Sequence, residues 1–201
     1  LTGKIIGVTG AIASGKSTVA RMLVDLGAAL ISADDIAKEL LQKDDVKAQI
    51  TCIWGSCVLA QGGEVDREAL AKRVFSGSAE VQRLNAILHP RIISRIKQEI
   101  ERLRREHPAQ PIVLDAALLH EAGLAPDCDV VIFVDAEDQR RYERAKWHRG
   151  WDIQEIARRE RLQMPVKQKK LKADYVIHNN GEIGETRARA LEFWRKVLIE
   201  N

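Results

Sequence analysis

The 201-residue sequence predicts an α/β fold built on an open parallel sheet of about five strands. Three observations lead there. Short apolar runs recur along the chain, each brief enough for a strand buried on both faces. Helical periodicity separates most of them. The first run stops at a glycine-containing turn that opens directly into a helix.

That first run is Ile5, Ile6 and Val8, ending at Gly10, after which Val19, Met22, Leu23 and Leu26 recur at helical spacing. A second strand is read over Ala28 to Ile31. Three more follow at Pro111 to Leu114, Val130 to Val134 and Tyr175 to Ile177. Residues 36–107 break the alternation, because they contain no strand pattern. Val46, Ile50, Ile53 and Trp54 share one helical face there, and Ile92, Ile93, Ile96, Ile100 and Leu103 form another stripe. Asp66 and Ser78 are read as N-caps, Pro90 as a first-turn residue and Gly62-Gly63 as a turn. The segment is therefore a helical insertion between the second and third strands.

With 45% hydrophobic and 30% charged residues the chain has the composition of one globular unit, and no apolar run approaches the length of a membrane span or resembles a signal peptide. Cys52, Cys57 and Cys128 are odd in number and lack metal-ligand spacing, which predicts buried thiols and a cytoplasmic location. The net charge of +3 hides an asymmetry: residues 140–172 hold 12 Lys/Arg against 4 Asp/Glu. Such a block implies an anionic partner or a solvated helical face.

The chemistry begins at residues 7–18, GVTGAIASGKST. Gly10-x-x-x-x-Gly15-Lys16-Ser17 follows a strand and opens a helix, which is the context a phosphate-binding loop requires. Its N–H groups and the helix dipole hold phosphate oxygens, Lys16 reaches the β- and γ-phosphates, and the Ser17 hydroxyl ligates Mg²⁺. Asp34 and Asp115 come after the second and third strand patterns, at the sheet edge where open parallel sheets bind ligands. One carboxylate would orient or deprotonate an acceptor hydroxyl while the other serves Mg²⁺. Asp35 is the rival to Asp34, and a helix N-cap is the structural alternative for Asp34.

Arg140, Arg141, Arg144 and Arg149 follow the fourth strand as candidate phosphate clamps, with solvated surface charge as the ordinary alternative for most of them. Trp147 and Trp151 stand among them, so a nucleotide-responsive RNA-binding protein is the alternative from another functional class. Another small-molecule P-loop kinase is the alternative enzyme. His89 and His120 form no triad. The chain has no Asn-Lys-x-Asp and no Asp-x-x-Gly, which excludes a G-protein switch of the usual kind.

From about Ile5 to Gly181 the chain resembles the dephospho-CoA kinase family, on an ordered set of motifs: TGAIASGKST at residues 9–18, SADDIAKEL at 32–40, LHPRI at 88–92, LLHEAG at 118–123, LQMPVKQKK at 162–170 and ADYVIHNNG at 173–181. The resemblance implies a P-loop kinase-like core over 1–35, 108–147 and 171–201, a helical CoA-substrate region over 36–107 and a lid over 148–170. It implies transfer of the γ-phosphoryl of ATP to the ribose 3′-hydroxyl of dephospho-CoA, with Mg²⁺ and without a nucleic-acid partner. By the same resemblance Ala13, Ser14, Gly15, Lys16, Ser17, Thr18 and Asn179 bind ATP, Asp34 is the base, and Arg144 or Arg149 is the lid arginine. Arg91 and Glu121, which fall in family motifs, are substrate-binding candidates beside Asp34, and Ser17 and Asp115 serve the metal.

The sequence departs from the family pattern at several places. Ala11 and Ala13 replace loop glycines, Ser32 an acid, Ala117 a proline and His178 an aspartate, while the arginine spacing is one residue longer. None of these removes Lys16, Ser17, Asp34 or Asp115, so a retained active site in an altered frame is expected. The sharpest question is Ala13. A left-handed backbone there would cost a residue with a Cβ about 1–2 kcal/mol relative to glycine, and Ala13→Gly would then raise kcat/KM for ATP by up to about tenfold.

Overall fold

The computed structural model describes residues 3–199. Its sheet consists of β1 (Ile5–Gly10), β2 (Ala29–Ser32), β3 (Ile112–Asp115), β4 (Val130–Asp135) and β5 (Tyr175–His178), all parallel in the order β2-β3-β1-β4-β5. All six residues of β1 and all four of β3 are buried, as expected of strands covered on both faces. The sequence patterns end one residue early at each of the last four strands. Polar Ser32, Asp115, Asp135 and His178 still pair in the ladder although they contribute no apolar signal.

The nine α-helices among the described residues are α1 (Lys16–Asp25), α2 (Ala33–Leu41), α3 (Asp44–Trp54), α4 (Arg67–Val74), α5 (Ser78–Glu106), α6 (Asp138–Arg149), α7 (Ile153–Glu160), α8 (Val166–Leu171) and α9 (Ile183–Trp194). None is long and apolar enough to cross a membrane. The chain divides into two compact units, residues 1–32 with 98–201, and residues 33–97.

In the first unit, Val19, Ala20, Met22 and Leu23 of α1 and Ala190 and Phe193 of α9 pack with Ile6, Val8, Val113, Ile132, Val134 and Ile177 of the sheet. Fully burying a side chain of this size contributes about 1.5–3 kcal/mol. This core therefore fixes where β1 ends and α1 begins. Tyr175 meets the Phe193 ring edge-on at 5.2 Å.

The second unit has its own core, in which Leu41, Val46, Ile50, Val58, Leu70, Val74, Ile87 and Leu88 are buried together. Asp66 caps α4 as expected, accepting from the N–H groups of Glu68 and Ala69. Gly62-Gly63 lies in a turn closed by Leu59 pairing antiparallel with Val65.

Three expectations need correction. Pro90 does not open a helix but sits inside α5. The apolar positions on either side of it, Ile87, Leu88 and Ile96, are buried, and burial outweighs the lost N–H donor. Ile53 stays 41% exposed at the edge of its stripe. The thiols are not uniformly buried either. Cys52 and Cys57 are exposed, and Cys128 alone is largely enclosed, its pKa raised by burial to about 12.

Candidate active site

The first unit places the ends of its strands along one edge, and the turn after β1 lies there. Ser14 donates its N–H to the Ala11 carbonyl at 3.1 Å, and Thr18 and Val19 donate to Gly15 at 3.0 and 3.1 Å. Gly15 has φ 88°, and a Cβ added to it would meet Asn179 Nδ2 at 2.1 Å, so both backbone and space demand glycine. Ala13 has φ 58°, the one non-glycine residue in the left-handed region among the described residues. The expected strain at Ala13 is thus present in the backbone. The N–H groups of Ala13, Gly15, Lys16 and Ser17 find no acceptor among the described residues. Four unengaged donors around a helix N-terminus form a concavity suited to an anion.

Side chains from across the sheet brace the outside of this turn. Asn179 donates Nδ2 to the Ser14 carbonyl at 2.8 Å and is itself held by Thr186, whose hydroxyl donates to Asn179 Oδ1 at 2.9 Å. Arg144 reaches the same Ser14 carbonyl at 3.3 Å and the Asn179 carbonyl at 2.9 Å. Burial, and after it the neighbouring Arg140, pull the Arg144 pKa down from its ordinary value, as expected of a cation short of water and receptive to an anion. Arg141, at 4% exposure, donates Nε to the Ile12 carbonyl at 2.9 Å.

Lys16 and Ser17 occupy the first turn of α1. The Lys16 ammonium is paired with Asp115, both side chains being nearly buried, while Ser17 and Thr18 are exposed. Asp115 is the last residue of β3, in register with Val8 and Ser32, so the sheet itself sets its place beside the loop. Among the described residues no cluster of three or more His, Cys, Asp or Glu could form a protein cage for a metal. A hydroxyl plus one carboxylate is an all-oxygen set. It fits a hard cation such as Mg²⁺ that keeps water and substrate phosphate in its shell.

Glu121 and Lys169 form a second polar group. Glu121 Oε1 accepts from the Met164 N–H at 2.8 Å and pairs with Lys169 at 2.9 Å. Lys169, 1% exposed, also donates to the Ala117 carbonyl at 2.8 Å and to Gln163 at 3.0 Å. Glu121 is therefore engaged in holding α8 and the segment before it. Arg149 is not at the loop: its guanidinium lies over the Trp151 ring at 4.7 Å, with Arg159 at 4.0 Å. A cleft of about 600 Å³ runs between Ala11 and Glu160 of α7, Arg161 and Met164 of the segment that follows it, and Lys169 of α8.

In the second unit, Asp34 and Asp35 both stand in the first turn of α2, just after β2 ends at Ser32. Lys38 pairs with Asp35 at 2.5 Å. Asp34 is exposed and makes no hydrogen bond or ion pair among the described residues, caps included. Arg91 donates to the Ile87 carbonyl at 2.7 Å, in the turn of α5 that holds Pro90, and pairs with Asp45 at 3.1 Å. Its guanidinium is thus committed within its own unit.

A family model described as dephospho-CoA kinase matches residues 4–185. The chain belongs to the dephospho-CoA kinase family. Curated relatives of that name include one from Geobacillus kaustophilus, 38% identical with 92% of each chain covered. Another, from Symbiobacterium thermophilum, is 40% identical over 96% of this chain and 80% of that one. Among solved structures, TT1252 from Thermus thermophilus superposes with a TM-score of 0.78 at 32% identity over 96% of each chain. Shikimate kinase from Acinetobacter baumannii, at 14% identity and a TM-score of 0.56, shares the fold, as expected of a P-loop kinase core.

For a member of this family, the basic segment is less available than its composition suggests. Arg141 serves Asp138 and Glu160, Arg158 and Arg159 serve Glu155, Lys169 serves Glu121, and Lys170 serves Asp135. Sequence reasoning named Arg141 only as one of four candidate phosphate clamps, whereas it holds the Ile12 carbonyl and two carboxylates, and it did not single out Lys169. A charged run reads as solvated by default, and only the long-range partners of these two side chains, at Ile12 and Ala117, distinguish them. His178, where the family pattern has aspartate, places Nδ1 3.2 Å from an Asp135 carboxylate oxygen.

Proposed function

We propose that this chain transfers the γ-phosphoryl group of ATP to the ribose 3′-hydroxyl of dephospho-CoA, giving CoA and ADP, the last step of coenzyme A synthesis. The observation that carries the reading is a family-wide match whose phosphate loop is preformed. Its unengaged N–H groups at Ala13, Gly15, Lys16 and Ser17 are ready donors for triphosphate oxygens. Lys16 stabilises the charge that builds on the transferring phosphoryl group, and Arg144, beside Gly15, is the second cation of the site. Ser17 and Asp115 would hold Mg²⁺, which when bound neutralises phosphate charge. Asn179 holds the loop and borders the nucleotide.

Asp34 takes the 3′-hydroxyl proton. Its support is that, of the aspartate pair, it alone has no partner among the described residues. The helical residues 36–107 would bind dephospho-CoA, residues 148–170 would act as the lid, and the reaction would run in the cytoplasm. Arg91 and Glu121 enter this reading as supports of substrate-region structure, since both are already hydrogen-bonded within their own units.

The test is coupled ADP release. Saturable ADP formation should depend on dephospho-CoA and Mg²⁺, with CoA as the phosphorylated product. ADP release that ignores dephospho-CoA but follows another small alcohol would replace the acceptor. Tight RNA binding with a steep salt dependence and no transfer would replace the function.

A further inference from the structure

Arg141 contributes little net charge to the nucleotide site, because two carboxylates already neutralise it. Its Nη1 donates to Asp138 at 2.6 Å and its Nη2 to Glu160 of α7. What it gives the loop is one directed bond, from Nε to the Ile12 carbonyl at 2.9 Å. A trans peptide is planar, and no described peptide is cis, so the Ile12 C=O and the Ala13 N–H point in opposite directions. Drawing that carbonyl toward α6 turns the Ala13 N–H away from α6. Asn179 and Arg144 act in the same way on the Ser14 carbonyl, and so on the Gly15 N–H.

The residue that follows the Ile12 carbonyl is the left-handed alanine. Left alone, an alanine relaxes to negative φ. A glycine loop needs no such restraint, whereas GAIASGKS does. We propose that Arg141 is a positioning residue of the nucleotide site: it holds the Ile12–Ala13 peptide with Ala13 left-handed and its N–H turned toward phosphate before the nucleotide arrives, and Glu160 keeps the guanidinium in register. The inference rests on reading this loop as the ATP site. It assigns a burial-locked arginine a task that is neither charge neutralisation nor phosphate contact.

The consequence is a coupling between positions 141 and 13. With Arg141 present, the cost of left-handed Ala13 is met in the folded protein, so nucleotide binding does not bear it. Without Arg141 the loop relaxes and binding must restore it.

Calorimetric titration of ATP into wild type, Arg141→Met, Glu160→Gln, Ala13→Gly and the two double variants with Ala13→Gly tests this. Arg141→Met should weaken ATP binding by about 5–30-fold, the equivalent of the left-handed penalty. The KM for dephospho-CoA should stay within about twofold. Ala13→Gly should recover at least about threefold in the Arg141→Met background, yet change wild-type affinity by less than about twofold. A residue that only supported the fold would lower the melting temperature and both KM values without selective rescue by glycine at position 13.

If Arg141→Met does not fold, Glu160→Gln carries the same cycle, with a loss of about threefold and rescue by Ala13→Gly. Wild-type ATP affinity in whichever variant folds, or equal effects of Ala13→Gly in both backgrounds, overturns the proposal. A wild type that binds ATP but does not phosphorylate dephospho-CoA overturns the acceptor assignment alone, since binding is read directly. A wild type that binds no ATP overturns both.

Discussion

The phosphate loop and the helical unit of residues 33–97 present their candidate residues in opposite ways. In the loop the backbone carries the chemistry. The carbonyls of Ile12 and Ser14 are taken by Arg141, Arg144 and Asn179, and the N–H groups of Ala13, Gly15, Lys16 and Ser17, unengaged among the described residues, are left for a ligand. In the helical unit the chemistry rests on side chains. Asp34 is exposed without a partner, and Arg91 is spent on Asp45 and the Ile87 carbonyl. The donor site is thus organised in advance, which is what makes fixed dipoles effective against developing charge. The proposed acceptor base, Asp34, is held by its place in the first turn of α2, with no side-chain partner among the described residues.

The largest test of this contrast is Lys16→Ala. Loss of the ammonium should lower kcat/KM by on the order of 10³, comparable to removing a principal transition-state donor. The fold should persist, because Lys16 is no member of the apolar cluster that holds β1 and α1, and its ammonium's partner among the described residues is Asp115. Near wild-type turnover, measured by ADP release, would remove this loop as the donor site.

Asp34→Asn tests the other side. It should lower kcat by on the order of 10² while leaving ATP affinity nearly unchanged, since the carboxylate supports nothing else in its unit. Asp35→Asn, which removes the carboxylate paired with Lys38, should stay within about threefold of wild type. Reversal of that order would move the base to Asp35. An equal loss from both would mean that charge at the start of α2 matters more than a particular proton acceptor.

How far the sequence revealed each side follows from the same contrast. The loop was legible because its determinants are contiguous: a buried strand, a glycine turn and an amphipathic helix lie within residues 5–26. Even the left-handed backbone at Ala13 could be anticipated from the spacing. What the sequence could not show was the bracing, because Arg141, Arg144 and Asn179 act on the loop from more than 125 positions away. Pro90 misled for a related reason. Its local rule says that a helix starts, and the core at Ile87, Leu88 and Ile96 overrides the rule. Asp35 and Arg91 look like candidates in sequence and are partly disqualified only by Lys38 and Asp45.

Arg144 and Arg149, left open by the sequence, separate next. Arg144 is desolvated beside Gly15, and Arg144→Ala should cost about 10–100-fold in kcat/KM, mostly through kcat. Arg149 lies over Trp151, so Arg149→Ala should stay within about threefold in rate. Its effect should appear in tryptophan fluorescence instead. A larger rate loss for Arg149 than for Arg144 would mean that residues beyond α6 rearrange during the reaction enough to exchange the two.

The smallest expected effect concerns Ala13 and decides where its strain resides. A left-handed alanine costs about 1–2 kcal/mol, and replacing it by glycine gives back part of that, since glycine has about 0.5–1 kcal/mol more conformational freedom to lose on folding. If the loop were unbraced, the difference would appear in catalysis, with kcat/KM rising toward the tenfold ceiling. Because Arg141 holds the Ile12 carbonyl in the free protein, the cost is already met on folding. Ala13→Gly should therefore raise the melting temperature by about 1–4 °C, as under about 1.5 kcal/mol does in a chain of this size. It should change kcat/KM for ATP by less than about threefold. Calorimetry beside steady-state kinetics separates the two cases. A gain in kcat/KM with an unchanged melting temperature would place the strain in nucleotide binding and show that the donor loop is no better held than the acceptor aspartate.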